Sequence, residues 1–269
     1  MTLRFSIYAS TDVGRVRDNN EDHLLVGRLV KNRGWLSLSL SGEDDFIHDY
    51  GLLLAVADGM GGENGGETAS RLTLVTLDRE FHTTMKGAGD EDFRRQLAAS
   101  VDAANRAVMH AAEVNPALLN MGTTLSGICL TPSRHWQFHC GDSRIYRSRN
   151  RMLKLLTVDD TVAERNARLG LVQTSDVFAS QAAHLLTNCI GRMSSTCHFE
   201  PMPVVEVGDR FLICSDGLHG FVTEEVVGRW LSSADLSPEQ IGVGLMQEVM
   251  EAGAADNVSL IVISVSQGA

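Results

Sequence analysis

No apolar stretch in this 269-residue sequence is long enough to cross a bilayer as a helix. The longest, residues 52–57 and 258–265, fall well short of the ~20 residues such a span needs. The N-terminus lacks the basic segment and long apolar core of a secretory signal. Basic excess is missing as well: 23 Lys and Arg stand against 34 Asp and Glu, a net charge of −11. That balance argues against a polyanion-binding surface, so neither nucleic acid nor a membrane is expected as a partner. Five cysteines, an odd number without a CxxC pair, fit a reducing compartment and small buried apolar residues better than a disulfide framework. A cytoplasmic, monomeric protein is the expectation. Repeats and low-complexity segments are absent, and 43% apolar content allows a substantial core.

Several catalytic signatures are missing too. The glycine-rich segment 58–66 lacks the Lys-Ser/Thr of a phosphate-cradling Walker loop, and Asn64 stands where a dinucleotide fingerprint needs its third glycine. His139-Cys140 is not the nucleophile of a cysteine phosphatase, because the position six residues after the cysteine is Tyr146 rather than Arg. The nine histidines form no HExxH or similarly spaced pair; His139 and His219 are singled out only because they lie near acidic residues.

What is present is a set of four acidic patches: Asn20-Glu21-Asp22, Asp58-Gly59-Met60-Gly61-Gly62, Ser215-Asp216-Gly217 and Asp256-Asn257. The last three abut strand-like apolar runs, so their carboxylates are expected rigidly placed at a sheet rim. Several such ends meeting in one place need cations to offset their repulsion. Oxygen donors without paired Cys or His point to hard ions, Mg²⁺ or Mn²⁺, rather than zinc. Arg17, four residues before Glu21, suits bidentate binding of a phosphoryl group. Gly141-Asp142-Ser143-Arg144 lies between two strand-like runs and reads locally as a hairpin turn.

Strand-length runs recur at 5–9, 24–29, 52–57, 124–130, 136–140, 144–147, 204–207, 211–214 and 258–265. Helical patterns fall at about 67–81, along Leu97, Val101, Ala104, Val108 and Ala111, and after Ser237-Pro238-Glu239-Gln240, which carries an N-cap serine, an N1 proline and a capping-box glutamine. Runs of strands separated by paired helices favour antiparallel sheets covered by helices. Residues 31–50 read as an extended hairpin tip. Residues 157–191, with a helix capped by Asp159-Asp160-Thr161 and a polar stretch at 174–180, read as a mobile flap.

Taken in order with Gly122-Thr123-Thr124, these motifs resemble the metal-dependent protein Ser/Thr phosphatases, the type 2C or PPM family, in its bacterial form, across residues 5–265. The resemblance implies an α+β fold: a four-layer α-β-β-α sandwich of two antiparallel sheets flanked by helix pairs, with the flap, as one domain over 1–269. It implies that Asp58 bridges two metals while Gly59 offers a carbonyl, that Asp216 and Asp256 are terminal ligands, and that Asp142 shares a weaker third ion with Asp216. Arg17 matches the phosphate-binding arginine; Glu21 and Asp22 match acids in or just behind the ligand shell. The implied cofactors are two tightly bound Mn²⁺ or Mg²⁺ ions plus the third. The implied activity is hydrolysis of phosphoserine and phosphothreonine in proteins by a water bridging the metals, with Arg17, Asp58, Asp216 and Asp256 catalytic and a bacterial Ser/Thr kinase opposing it. Two positions depart from the pattern. Met60 stands where animal members carry a leaving-group His, and Asp159-Asp160-Thr161 stands where the flap often reads Asp-His-Ser. A non-catalytic phosphoprotein-binding regulator and a small-molecule phosphohydrolase stay open as alternatives.

Overall fold

The computed structural model describes residues 2–84, 90–131, 134–170 and 185–268. Its longest strand pairing joins the two ends of the chain: β1 (Leu3–Asp12) runs antiparallel to β14 (Val258–Gln267) over ten residue pairs. Around this pair one sheet is ordered β11 (Met152–Leu155), β10 (Arg144–Arg149), β13 (Arg210–Cys214), β14, β1 and β4 (Gly34–Ser41). The second is ordered β12 (His198–Pro201), β9 (Trp136–Cys140), β8 (Leu125–Leu130), β5 (Leu52–Ala57), β2 (His23–Val26) and β3 (Leu29–Lys31). Two short strands, β6 (Gly59–Met60) and β7 (Gly122–Thr123), pair at the rim.

Strand alternation builds the layers. Ile261, Ile263 and Val265 of β14 enter the core between the sheets, while Val258, Leu260 and Val262 face helices Glu224–Leu231 and Pro238–Glu251. In β5, Leu52, Leu54 and Val56 meet the inter-sheet core; Leu53, Ala55 and Ala57 face helices Gly62–Thr84 and Asp90–Val114. A strand buried on both faces reads as one continuous apolar run, as β5 does. The helices complete the sandwich through the predicted stripes: Leu97, Val101, Ala104 and Val108 on one side, Ile241, Leu245 and Val249 on the other. Helix Pro238–Glu251 carries the full capping box of Ser237 and Gln240.

Four local expectations are corrected. Segment 31–50 is not a hairpin tip: it holds β4, whose Leu36, Leu38 and Leu40 pack on the inter-sheet core, and helix Asp45–Tyr50, capped by Asp44. The alternation of leucine with serine marks that strand. Residues 204–207 form no strand; Val205 alone is buried, in the inter-sheet core, while Val204 is 80% exposed and Val207 53%. The first long helix begins at Gly62 rather than 67, tertiary packing overriding the low helix propensity of glycine. The Gly141-Asp142-Ser143 turn is not a hairpin: β9 and β10 lie in different sheets, so the chain crosses the sandwich there. In the flap segment, Thr161 caps helix Val162–Arg168 as expected. Residues 171–184, including the polar stretch 174–180, lie outside the described residues.

Candidate metal centre

Asp58 leaves the end of β5 and is clamped by the Gly122-Thr123-Thr124 segment. Its N–H donates to Thr124 Oγ1 (3.0 Å), and its carbonyl accepts from Thr124 N (2.8 Å) and Thr123 Oγ1 (2.7 Å). Thr124 Oγ1 also hydrogen-bonds Ser143 Oγ at 2.6 Å, which ties Asp58 to the turn carrying Asp142. Asp216 opens a short helix after β13, and Asp256 precedes β14. Backbones approach closely here. A Cβ on Gly59 would stand 2.1 Å from Gly66 O, and one on Gly217 would stand 1.8 Å from Asn257 O, so each Asp-Gly pair needs its glycine.

The N-terminal acids are held by Asn257. Its Oδ1 accepts from Glu21 N (2.8 Å), and its Nδ2 donates to Val13 O and Asn19 O, both at 2.9 Å. Ser70 Oγ donates to Glu21 O from the first long helix. The two adjacent acids therefore part company. Glu21 lines the cavity, whereas Asp22 is 1% exposed and sits behind the wall, its Oδ2 accepting from Ser215 Oγ at 2.7 Å.

Arg17, Glu21, Asp58, Gly59, Asp142, Asp216 and Asp256 line one cavity of about 1120 Å³. Burial pushes the Asp58 carboxyl well above its ordinary range, reinforced by Asp22, Asp216 and Asp142. Asp142 is pushed up to about 8 by burial, then by Asp216 and Asp159. Asp22 is pushed up to about 7 by burial, despite the hydrogen bond from Ser215. Glu21 is raised too, chiefly by burial. Carboxyls pushed toward their neutral forms by burial, and further by one another, are the arrangement that a bound cation would relieve. Among the described residues the buried Asp22 Oδ1 has no hydrogen-bond partner, a further sign of unmet negative potential. The crowded donors are carboxylate oxygens, so this arrangement fits hard divalent ions.

Arg17 stands at the rim, its side chain 53% exposed, with Nη2 donating to Asp256 Oδ2 at 2.9 Å. Asp256 raises the Arg17 pKa further, keeping the guanidinium charged. Met60 lines the same cavity. Neither His139 nor His219 does: His219 Nε2 donates to Asp142 O (3.0 Å), bracing that turn from behind. Arg192 is a lining residue that sequence reasoning passed over. Most of its donors are spent on Met121 O, Gly191 O and Asn120 O, and no local motif marks it. Asn257, Thr123 and Thr124 were visible only as members of motifs; their bracing work needs partners distant in sequence.

Known proteins place this geometry. A family model described as protein phosphatase 2C matches residues 40–252. The chain is 31% identical over 268 residues to the serine/threonine protein phosphatase PstP of Mycobacterium tuberculosis, spanning 98% of this chain but 46% of that protein. It is 26% identical over 254 residues to the serine/threonine phosphatase stp of Listeria monocytogenes, with 94% and 93% covered. The crystal structure of PstP superposes with a TM-score of 0.79 at 29% identity, covering 99% of this chain and 100% of that one. The PstP catalytic domain in complex with two manganese ions superposes at 0.76 with 30% identity, covering 98% and 100%. With the layered fold, the ordered motifs and the convergent acids in agreement, the chain belongs to the protein phosphatase 2C family.

Proposed function

We propose that this chain is a metal-dependent hydrolase of phosphoserine and phosphothreonine in proteins, acting in the cytoplasm as a single domain and reversing the work of a Ser/Thr kinase. The observation that carries this reading is the meeting of Glu21, Asp58, Asp142, Asp216 and Asp256 in one cavity with Arg17 at its rim. The acids suit cations, and the guanidinium suits the phosphoryl oxygens of an ester. Asp58 with the Gly59 carbonyl, Asp216 and Asp256 would hold a pair of ions, Asp58 serving both, and Asp142 with Asp216 would hold a weaker third. Mn²⁺ or Mg²⁺ matches this donor set, and the two manganese ions of the related PstP domain support that choice.

Bound there, such ions supply the charge that ionises water near neutral pH and offsets that of a phosphate ester. The chain's own groups do the rest. Arg17 orients the ester, and because the phosphoryl transition state is loose, positioning provides much of the rate. Thr124, Ser143 and Asn257 hold the acids still. Met60 has no proton to give, so protonation of the leaving alkoxide falls to the Asp142 side of the cavity.

The test is phosphate release from a phosphothreonine peptide and from p-nitrophenyl phosphate with Mn²⁺, with Mg²⁺ and after chelation. Turnover of both substrates that vanishes with EDTA and returns with added ion is expected. Full activity in verified metal-free protein would overturn the reading, and turnover confined to small esters would replace it with a small-molecule phosphohydrolase.

A further inference from the structure

Outside the carboxylate cavity, two histidines and an aspartate meet where the flap segment joins the second sheet. His139 of β9 and His198 of β12 are direct cross-strand partners, so their side chains leave the same face. Their rings stack with centroids 4.8 Å apart and planes at 25°. Asp160, just before helix Val162–Arg168, reaches toward them: its Oδ1 lies 3.4 Å from His198 Nε2. One ligating atom from each of the three residues lies within 4.8 Å of the others. Ligands ~2.1 Å from a tetrahedral ion stand roughly 3.4 Å apart, so small side-chain rotations would close this set around one.

The surroundings are already arranged as an outer shell. Asp160 Oδ2 is occupied, accepting from Gly141 N (3.0 Å) and Asn188 Nδ2 (2.7 Å), which leaves Oδ1 for the imidazoles. His139 Nε2 sits 3.0 Å from Val158 O. A carbonyl only accepts, so that nitrogen carries the proton and Nδ1 keeps its lone pair, the kind of second contact that orients a ligating imidazole. Burial lowers the His139 pKa, which favours the neutral ring a metal requires. His198, with its side chain 46% exposed, leaves a path in from solvent.

We propose that His139, His198 and Asp160 form a second metal site, separate from the carboxylate cavity, for a borderline ion of the Zn²⁺ type. Two imidazoles and one carboxylate select such an ion over Mg²⁺, which prefers oxygen alone. Its position gives it a structural consequence. Asp160 N donates to Gly141 O (2.9 Å), Thr187 N donates to Asp160 O (2.7 Å), and Gly141 immediately precedes Asp142. An ion on Asp160 Oδ1 would fasten the entry and exit of the flap segment to the turn that carries Asp142.

The experiment is Zn²⁺ binding to the full chain in excess Mg²⁺, measured by competition with a chromophoric chelator, with zinc-edge X-ray absorption to identify the ligands. Expected is one equivalent of Zn²⁺ with imidazole scattering, its affinity falling about tenfold or more in His198→Gln and in His139→Gln. The His198 variant carries the test if the buried His139 variant fails to fold, because His198 lies exposed on an edge strand. Asn188→Ala should weaken binding by about tenfold while leaving the ligand set unchanged. Equal Zn²⁺ binding by wild type and His198→Gln, or an all-oxygen zinc shell, would assign the ion to the carboxylate cavity and overturn the proposal. Absence of binding at millimolar Zn²⁺ would overturn it as well.

Discussion

Arg17 and Asp256 are joined by a 2.9 Å hydrogen bond from Nη2 to Oδ2, across 239 residues of sequence, at the edge of the acidic cavity. The pair is partly exposed, so solvent screens it and little stability rests on it. Its interest is that both partners have other work. If Asp256 turns to a cation, the guanidinium is released toward a phosphate ester.

Arg17→Ala should therefore raise KM more than it lowers kcat, because the charge meets a dianion in the ground state as well as in the transition state. A loss of ~2–3 kcal/mol in kcat/KM fits a charge-assisted bidentate contact. Steady-state kinetics on a phosphothreonine peptide decide it. A collapse of kcat at unchanged KM would mean that Arg17 acts only in the transition state.

Asp58→Asn should abolish turnover and raise the melting temperature of the metal-free protein. An amide cannot replace a carboxylate that would serve two ions, yet it spares the metal-free fold the cost of keeping Asp58 neutral against burial and the neighbouring Asp22, Asp216 and Asp142. Paired activity and thermal-melt measurements without added metal check both halves. Retention of more than about a tenth of wild-type activity would contradict the bridging role.

Stability should depend on pH differently with and without ions. Asp142 and Asp22 are raised from 3.8 to about 8 and about 7, so their folded forms hold protons that the unfolded chain has released. A raised folded pKa gives stability that is present below the unfolded value and is lost as pH climbs through the folded one. The metal-free melting temperature should thus fall as pH rises from about 4 to 8, most cleanly in the window from about 6.5 to 8, while the gain on adding Mn²⁺ grows over the same range. His23 and His135, lowered from 6.5 to about 4 by burial, have the opposite sign: they cost stability as pH falls, between about 6.5 and 4, outside that window. A Mn²⁺-induced gain that is flat with pH would refute the linkage.

Asp142→Asn should separate two substrates. If the Asp142 side of the cavity protonates the leaving group, the loss should be large for a phosphothreonine peptide. It should be much smaller for p-nitrophenyl phosphate, whose leaving group is acidic. Calorimetry should still find two tight ions. Equal losses on both substrates would remove leaving-group assistance from the account.

Asn257→Ala should weaken the protein without touching any proposed ligand. The side chain is 6% exposed and makes three hydrogen bonds to the backbone of residues 13, 19 and 21. Losing them leaves buried backbone groups without partners, worth about 1–3 kcal/mol in a urea melt. A neutral substitution would show that the N-terminal loop is held by other contacts.

The chain's own order of residues determined the layers and the acids. Alternation in β14 and β5 assigns each side chain to one of two cores, and the apolar stripes of the long helices say which faces they bury. These are local periodicities, set by 2 residues per strand repeat and 3.6 per helical turn. Strand ends beside Asp58, Asp216 and Asp256 were legible for the same reason. Only the tertiary structure decided that Glu21 faces the cavity while Asp22 turns back to Ser215, because neighbours in a loop obey no period. It alone decided that Gly141-Asp142-Ser143 crosses between sheets, since a tight turn looks the same whether its flanking strands pair with each other or part. And it alone set His139 beside His198 and Asp160, because register, which depends on the packing of whole strands, brings together residues whose separation in sequence carries no signal.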